Sequence, residues 1–342
     1  MSGSSNVGMH IDHCIEEDPV LLAAFEAKMA AGEMIEADDW MPQAYRTGML
    51  KMAEHHANSE IVGALPEGEW ITRAPSLKRK LALTAKVQDE VGHGQMLYRV
   101  SQDLGKSRDD MLRDLITGKT KYHNCFNYPA PTWADIAMIQ WLIDGAAIMN
   151  QKTLADGAYG PYVRTMRRIN MEEAFHFKSG EDMVLTLMSG TKRQKQMTQE
   201  AFDRWWGPAI MFFGPPDKPN ARELPPMRWR MKTVTNDELR QRFVDRFAPA
   251  AIALGLTINI VEKDEQGMVV PGSVRPDERV VLDEKTGHWG FTPPDWDEFF
   301  RVIRGGGPCN AKRLALRRFS YEQGQWVRRA VLGGKVNLPP AA

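Results

Sequence analysis

AKVQDEVGHG (85–94) and MEEAFHFKSG (171–180) decide the fold of this 342-residue chain. Each contains Glu-x-x-His, as Glu90-Val-Gly-His93 and Glu173-Ala-Phe-His176. On an α-helix that spacing sets a carboxylate and an imidazole on one face, one turn apart, so both reach one metal ion. Chance supplies about 0.5 such pairs in a chain of this length and composition, so a single match would carry little weight. Two matches, each inside a long helical pattern, carry more.

Working outward, each motif has an acidic residue upstream on the preceding helical segment. Glu60 lies 30 residues before Glu90, and Asp144 lies 29 before Glu173. That separation suits a helix, a turn and a return. About the turn at Gly160 the arms from Asp144 and Glu173 are each roughly 20–24 Å long at ~1.5 Å rise per residue, which puts the two side chains at similar height. The pattern is therefore Glu60 … Glu90/His93 … Asp144 … Glu173/His176, two acidic helical hairpins facing one another. Four carboxylates and two imidazoles suit a pair of iron or manganese ions, and four carboxylates balance two divalent cations. Asp144 lies in AMIQWLIDGAAIM (137–149), where an unpaired carboxylate would be costly to bury. Gly92 and Gly94 flank His93, which points to a close approach by a neighbouring group. Glu172 and Asp89 are one residue out of register with the ligands and read as surface groups or as partners of the ligands.

Local signals extend the helical reading. A first helix is expected from Gln43 to Gly63, ended by the loop 64–75 with its Pro66, Gly68 and Pro75. Ser76 caps a second, which stops at Gly105; Ser107 caps a short third, which stops at Gly118. Thr132 caps a helix reaching the turn at Tyr159-Gly160-Pro161. Pro161 opens the next, which ends at Gly190. Further helices are expected over 192–213, 235–254, 295–304 and 309–332. Residues 257–292 are rich in β-branched residues broken by Gly and Pro and read as a small hairpin-like excursion. The fold class is thus all-α, a ferritin-like helical bundle with an irregular β-hairpin excursion in the C-terminal third. Its expected divisions are a flexible extension and lead-in over 1–36, the metal-binding helical domain over 37–255, and the excursion with helices packed on the bundle over 256–342.

Composition narrows the function classes. Lys plus Arg and Asp plus Glu number 44 each, so the net charge is zero, which argues against nucleic acid or a membrane surface as partner. Cys14, Cys125 and Cys309 are far apart and form no CxxC, so neither a disulfide framework nor an iron–sulfur site is expected, and a cytoplasmic setting fits. No apolar run is long enough to span a bilayer. His10 and His13 belong to the polar start of the chain and read as solvent-exposed. There is no GxGxxG fingerprint, so no nucleotide cofactor is expected and electrons must come from another protein. FDRWWGPAIMFF (202–213) reads either as a face for a partner protein or as an internally packed segment. The spacing alone leaves open other di-metal bundles, such as a ribonucleotide reductase small subunit or a manganese catalase, and non-catalytic iron-storage or scaffold proteins.

The stretches DWMPQAYR (39–46), HANSEIVGALPEGEWITRAPSLKRK (56–80), AKVQDEVGHG (85–94), FNYP (126–129), WLIDGAA (141–147), YGPY (159–162) and TNDELRQRFVD (235–245) closely resemble the catalytic A subunits of the bacterial ring-1,2-phenylacetyl-CoA epoxidases. The likeness runs from about residue 37 to about residue 330. It implies a ferritin-like bundle with two iron ions held by Glu60, Glu90, His93, Asp144, Glu173 and His176. It implies O2 as co-substrate and epoxidation of the aromatic ring of phenylacetyl-CoA in phenylacetate degradation. It also implies three protein partners: a flavin/iron–sulfur reductase that passes on electrons from NADPH, the homologous structural C subunit, plus the small B subunit. Lys86 matches a lysine beside the family's iron site, where it would hydrogen-bond or tune charge. The acyl-CoA contacts would map to Lys51, His55, Lys121, Tyr122, His123, Asn124, Met211, Asn220 and Lys232; of these, Lys51, His55, His123, Asn124 and Asn220 differ in type from the family pattern.

Overall fold

The computed structural model describes residues 18–332; Cys14, His10 and His13 lie outside them. In chain order the helices are α1 (Pro19–Ala30), α2 (Gln43–Gly68), α3 (Leu77–Asp103), α4 (Arg108–Ile116), α5 (Trp133–Met138), α6 (Asp144–Leu154), α7 (Gly160–Met188), α8 (Lys192–Met211), α9 (Pro225–Arg228), α10 (Asn236–Ala253), α11 (Trp296–Arg301), α12 (Asn310–Gln323) and α13 (Gln325–Leu332). Two small antiparallel pairs, β1 (Asn259–Ile260) with β2 (Arg275–Pro276) and β3 (Leu282–Asp283) with β4 (His288–Trp289), form the excursion before α11. The architecture is the expected all-α bundle. Among the described residues no helix is long and apolar enough to cross a membrane.

The expected caps are in place. Ser76 accepts from Arg79 N, Ser107 from Asp110 N, and Thr132 forms a reciprocal capping box with Asp135. These bonds satisfy amide groups that a helix start leaves without partners. They also fix where α3 and α5 begin. Asp135 does more than cap. Its buried carboxylate accepts from Arg204 Nε at 2.8 Å, Arg204 Nη2 at 2.9 Å and Trp205 Nε1 at 3.0 Å, which ties α5 to α8.

Four rods surround the centre of the bundle. α2 lies along α3, the α5–α6 rod lies along α7, and α3 meets α7. α5 and α6 are joined by one π-helical stretch, Ile139–Ile143. Gly180 of α7 accounts for the close approach there: a Cβ on it would lie 2.4 Å from Gln140 C and 2.5 Å from Trp141 N. The backbones touch, and the widened turn delivers Gln140 and Asp144 to the interior.

Several details differ from the sequence expectation. α2 does not stop at Gly63 but runs through Pro66 to Gly68, since a proline in the last turn removes only one hydrogen bond. Glu60 therefore lies well inside a helix, and Glu67 joins the interior face. Within the segment read as extension and lead-in, Pro19–Ala30 is helical, capped by Asp18 and anchored by buried Phe25 and Met29. Phe25 sets its ring 5.1 Å from that of Tyr45, edge to face. The apolar stretch 202–213 packs inward: Phe202, Trp205 and Ala209 are fully buried against Trp141, Phe243 and Phe247.

Candidate metal centre

The four rods bring all six acidic and imidazole residues together. α2 supplies Glu60, α3 supplies Glu90 and His93, α6 begins with Asp144, and α7 supplies Glu173 and His176; all six are buried. Ligand atoms of Glu60, Glu90, His93 and Glu173 lie within 4.8 Å of one another, and so do those of Asp144, Glu173 and His176. Glu173 stands between the two imidazoles, with Oε1 3.4 Å from His93 Nδ1 and Oε2 3.2 Å from His176 Nδ1. Glu90 does the same, with Oε2 3.8 Å from His93 Nδ1 and Oε1 3.4 Å from His176 Nδ1. Glu60 accompanies His93 at 3.8 Å, and Asp144 falls in the group of His176. Two carboxylates that each face both histidines, flanked by one acid at either end, form a donor set for two divalent cations.

The histidines are aimed from behind. His93 Nε2 donates to Glu172 Oε2 at 2.9 Å, and His176 Nε2 donates to Asp89 Oδ2 at 3.2 Å. The acid preceding each motif's glutamate thus orients the other motif's histidine across the α3–α7 contact. This leaves Nδ1 of each ring pointing into the cluster. His93 Nδ1 is fully buried and makes no hydrogen bond, as expected of a ligand nitrogen. Close packing beside His93 also involves glycine, at one of the two flanking positions. A Cβ on Gly94 would lie 2.6 Å from Ile61 and 3.2 Å from Ala57 O, whereas one on Gly92 would meet nothing within 4 Å.

Lys86 enters the same cluster. Its Nζ lies 3.0 Å from Glu90 Oε1, 3.0 Å from Asp144 Oδ2 and 2.5 Å from Glu67 Oε2. Burial disfavours its charge, but Asp144, Glu67 and Glu90 outweigh that and hold its pKa well above the ordinary lysine value. Glu67 has no place in the sequence pattern that picks out the six. It is 1% exposed, and its Oε1 accepts from Gln140 Nε2 at 2.9 Å. The signal for it is a seven-residue spacing from Glu60, which puts both on one face of α2, obscured when 64–75 is read as loop. His56, likewise outside the pattern, links Glu60 to Tyr162: its Nε2 is 2.8 Å from Glu60 Oε1, and its Nδ1 is 2.8 Å from the Tyr162 hydroxyl.

Proton balance gives a test of the cluster. Burial would depress both histidines, yet the glutamates around them win. Glu173 and Glu90 push the His176 pKa up to about 11, and Glu173, Glu60 and Glu90 push His93 up as well. Both rings therefore hold a proton at neutral pH, which a cation must displace from Nδ1. Metal uptake at pH 7 is expected to release about two protons per chain, with affinity rising between about pH 6 and 9. Calorimetric titration with Co(II) in two buffers of different protonation enthalpy measures this. Release near zero would remove the two Nδ1 atoms from the ligand set.

A cavity of about 200 Å3 opens onto the cluster. Glu60, Glu67, Lys86, Glu90, Asp144 and Glu173 line its floor, and Gly63, Phe126, Ile143, Ala147, Phe212 and Phe213 its wall. Half-buried Met52, Asn150, Lys232 and Asn236 also line it.

A family model described as Phenylacetic acid catabolic protein matches residues 24–326, which include all six cluster residues and the cavity wall. The chain belongs to that family. Over 308 residues it is 46% identical to the A subunit of 1,2-phenylacetyl-CoA epoxidase from Escherichia coli (strain K12), an alignment that covers 90% of this chain and 94% of that protein.

Of the residues that family likeness suggests for acyl-CoA, the structure brings His55, His123 and Lys232 to the cavity. His123 stacks on Phe212 with centroids 4.1 Å apart and donates from Nε2 to Phe212 O at 2.8 Å. Burial keeps the pKa of His55 down to about 4 and that of His123 down to about 3, so both are neutral. Lys232 donates to Asn236 Oδ1 at 2.6 Å, and burial lowers its pKa. Asn124 and Met211 are buried against each other, with Asn124 Nδ2 3.8 Å from Met211 Sδ. Lys121 and Tyr122 line a separate pocket with Arg304 and Asn310. Lys51 and Asn220 are exposed and line neither cavity.

Proposed function

We propose that this chain is the catalytic component of a multicomponent di-iron monooxygenase that epoxidises the aromatic ring of phenylacetyl-CoA. The observation that carries this reading is an apolar cavity whose floor is formed by Glu60, Glu90, Asp144 and Glu173, the four carboxylates of the carboxylate–imidazole cluster, with Glu67 and Lys86 beside them. Glu60, Glu90, His93, Asp144, Glu173 and His176 would hold the two iron ions. Two iron ions bound there would supply reductive O2 chemistry, in which two electrons from a partner reductase and two protons convert one oxygen atom to water while the other goes to the ring.

The chain's own residues do the rest. The wall of Phe126, Ile143, Ala147, Phe212 and Phe213 takes the phenyl group and excludes water. A cavity of roughly 150 Å3 is enough to hold benzene, so about 200 Å3 suits one unsubstituted ring. His123 is committed to Phe212 O and presents a fixed, neutral surface. Lys232 and Asn236 supply polar groups for the thioester arm. Lys86 holds Glu67, Glu90 and Asp144 in one arrangement, so that the floor does not reorganise as charge changes. The homologous structural C subunit, the small B subunit, plus a flavin/iron–sulfur reductase would complete the system.

The test is turnover of phenylacetyl-CoA by the iron-loaded complex with reductase, NADPH and 18O2. One labelled oxygen in the ring product, with two irons per catalytic chain by metal analysis and Mössbauer spectroscopy, is expected. A stable tyrosyl radical without substrate oxidation would instead favour a reductase-type bundle, and many irons per chain would favour storage.

A further inference from the structure

We infer that Gly63 and Phe126 together set the width of the cavity's ring-binding end and so select which aryl groups are accepted; this rests on the reading of the substrate as an arylacetyl thioester. Gly63 lies on α2, three residues after Glu60 and four before Glu67. All three share one helix face, and all three line the cavity. Between two long carboxylates the helix thus presents bare backbone. The ring of Phe126 fills that gap: a Cβ on Gly63 would lie 2.7 Å from Phe126 Cζ, 2.9 Å from Cε1 and 3.0 Å from Cε2. A glycine inside a helix is less favourable than alanine by about 0.8–1 kcal/mol, and the seat for this ring gives it a packing reason. Of the other two glycines on α2, Gly68 has nothing within 4 Å of its would-be Cβ and Gly48 would meet Met231; neither lines the cavity.

The backbone carrying Phe126 is fixed. It sits in the 3-10 turn Asn124–Asn127. Phe126 O accepts from Arg313 Nε at 3.1 Å, and His123 N donates to Ser59 Oγ at 2.9 Å. Phe126 also packs, as do Leu65 and Leu314, against the buried cluster of Val62, Leu115 and Tyr122. A methyl group at position 63 therefore turns the ring about its side-chain torsions, and the cavity is the space available to receive it. The remaining volume then falls below what a phenyl group needs. Shortening Phe126 works the other way and widens the same end.

The experiment measures calorimetric affinities of the complex for phenylacetyl-CoA, 4-methylphenylacetyl-CoA and acetyl-CoA. It uses wild type, Gly63→Ala, Phe126→Leu and the double variant, with iron content checked for each. Gly63→Ala is expected to weaken phenylacetyl-CoA about tenfold or more, the scale of a misfit in an apolar pocket, while acetyl-CoA binding and iron content hold. Phe126→Leu is expected to improve the 4-methyl analogue about tenfold relative to phenylacetyl-CoA, and the double variant to regain phenylacetyl-CoA. Unchanged phenylacetyl-CoA affinity in Gly63→Ala, equal loss of acetyl-CoA, or no recovery in the double variant overturns the inference. If Gly63→Ala does not fold, the preference of Phe126→Leu decides alone. Should wild type bind neither aryl thioester, the substrate reading falls. Xenon occupancy of the cavity in crystals then decides the width claim: loss in Gly63→Ala and return in the double variant supports it, and equal occupancy throughout sinks it.

Discussion

Asp144→Ala is expected to leave no more than one metal ion per chain and to lower ring oxidation by more than about a thousandfold, the scale seen when one member of a group acting as a unit is lost. Asp144 is the acid that the second half-site draws from α6. Glu173 and Glu90 face both histidines, so neither can replace it without leaving the first half-site. Stability should move the opposite way. Burial raises the Asp144 pKa well above the ordinary aspartate value, and the pull of Lys86 does not restore it. A carboxyl whose pKa is higher folded than unfolded makes the native state lose stability as pH climbs from the unfolded value, near 4, towards the folded one. Asp144→Asn removes that loss. The metal-free variant should therefore be more stable than wild type at pH 7 by about 0.5–2 kcal/mol, with the gain vanishing near pH 4. Denaturant titration at the two pH values, beside metal counts and turnover, reads all three effects. Two metals and full turnover in Asp144→Ala would refute the ligand assignment.

Much of this site is legible in the sequence because helical periodicity converts spacing directly into geometry. Glu-x-x-His fixes two candidate ligands per helix, and a 29- or 30-residue interval fixes the return of the next helix. Ser76, Ser107 and Thr132 mark helix starts through hydrogen bonds that are local in sequence. What escapes depends on relations between helices. The π-helical stretch at Ile139–Ile143 arises where Gly180 lets α7 close on it; in a run of apolar residues, one extra residue in a turn leaves no periodic trace. Glu67 is hidden behind Pro66, which reads as a breaker but is harmless in a final turn. Asp89 and Glu172 are out of register with the ligands on their own helices. That they cross over, each reaching the other helix's histidine, follows only when α3 and α7 are placed side by side. An acid directly before both motif glutamates, Asp89-Glu90 and Glu172-Glu173, is the available clue. Contacts for the acyl-CoA are less legible, since single Lys, His and Asn residues carry no spacing rule; of the nine suggested, the cavity takes three.

Lys86→Met separates charge from coordination at the same centre. Lys86 is 2% exposed and touches Glu67, Glu90 and Asp144. Methionine keeps an unbranched apolar stem and removes the ammonium group. In metal-free protein at pH 7 the three carboxylates then lose a shared cation in a buried setting, and the expected loss is about 3–5 kcal/mol. Burial would raise Glu90, but Lys86 heads the groups that overcome this and hold it well below the ordinary glutamate value. A carboxylate depressed in the folded state stabilises above its unfolded pKa and loses that contribution as pH falls through the folded one. Removing Lys86 takes away this contribution at neutral pH, so the difference from wild type should narrow below about pH 4, where free carboxylates also protonate. Iron provides a second source of positive charge. Loading two Fe(II) ions should recover much of the lost stability, because ligand binding to the native state alone shifts the unfolding equilibrium. All six candidate ligands survive in Lys86→Met, so the metal count should stay at two while turnover falls about 10–100-fold, as for other groups that orient a metal's ligands. Chemical denaturation with and without iron, and metal analysis of the same samples, measure these outcomes. An equal stability loss in both states would mean that Lys86 acts through packing. A metal count reduced as in Asp144→Ala would mean that it positions the second half-site outright.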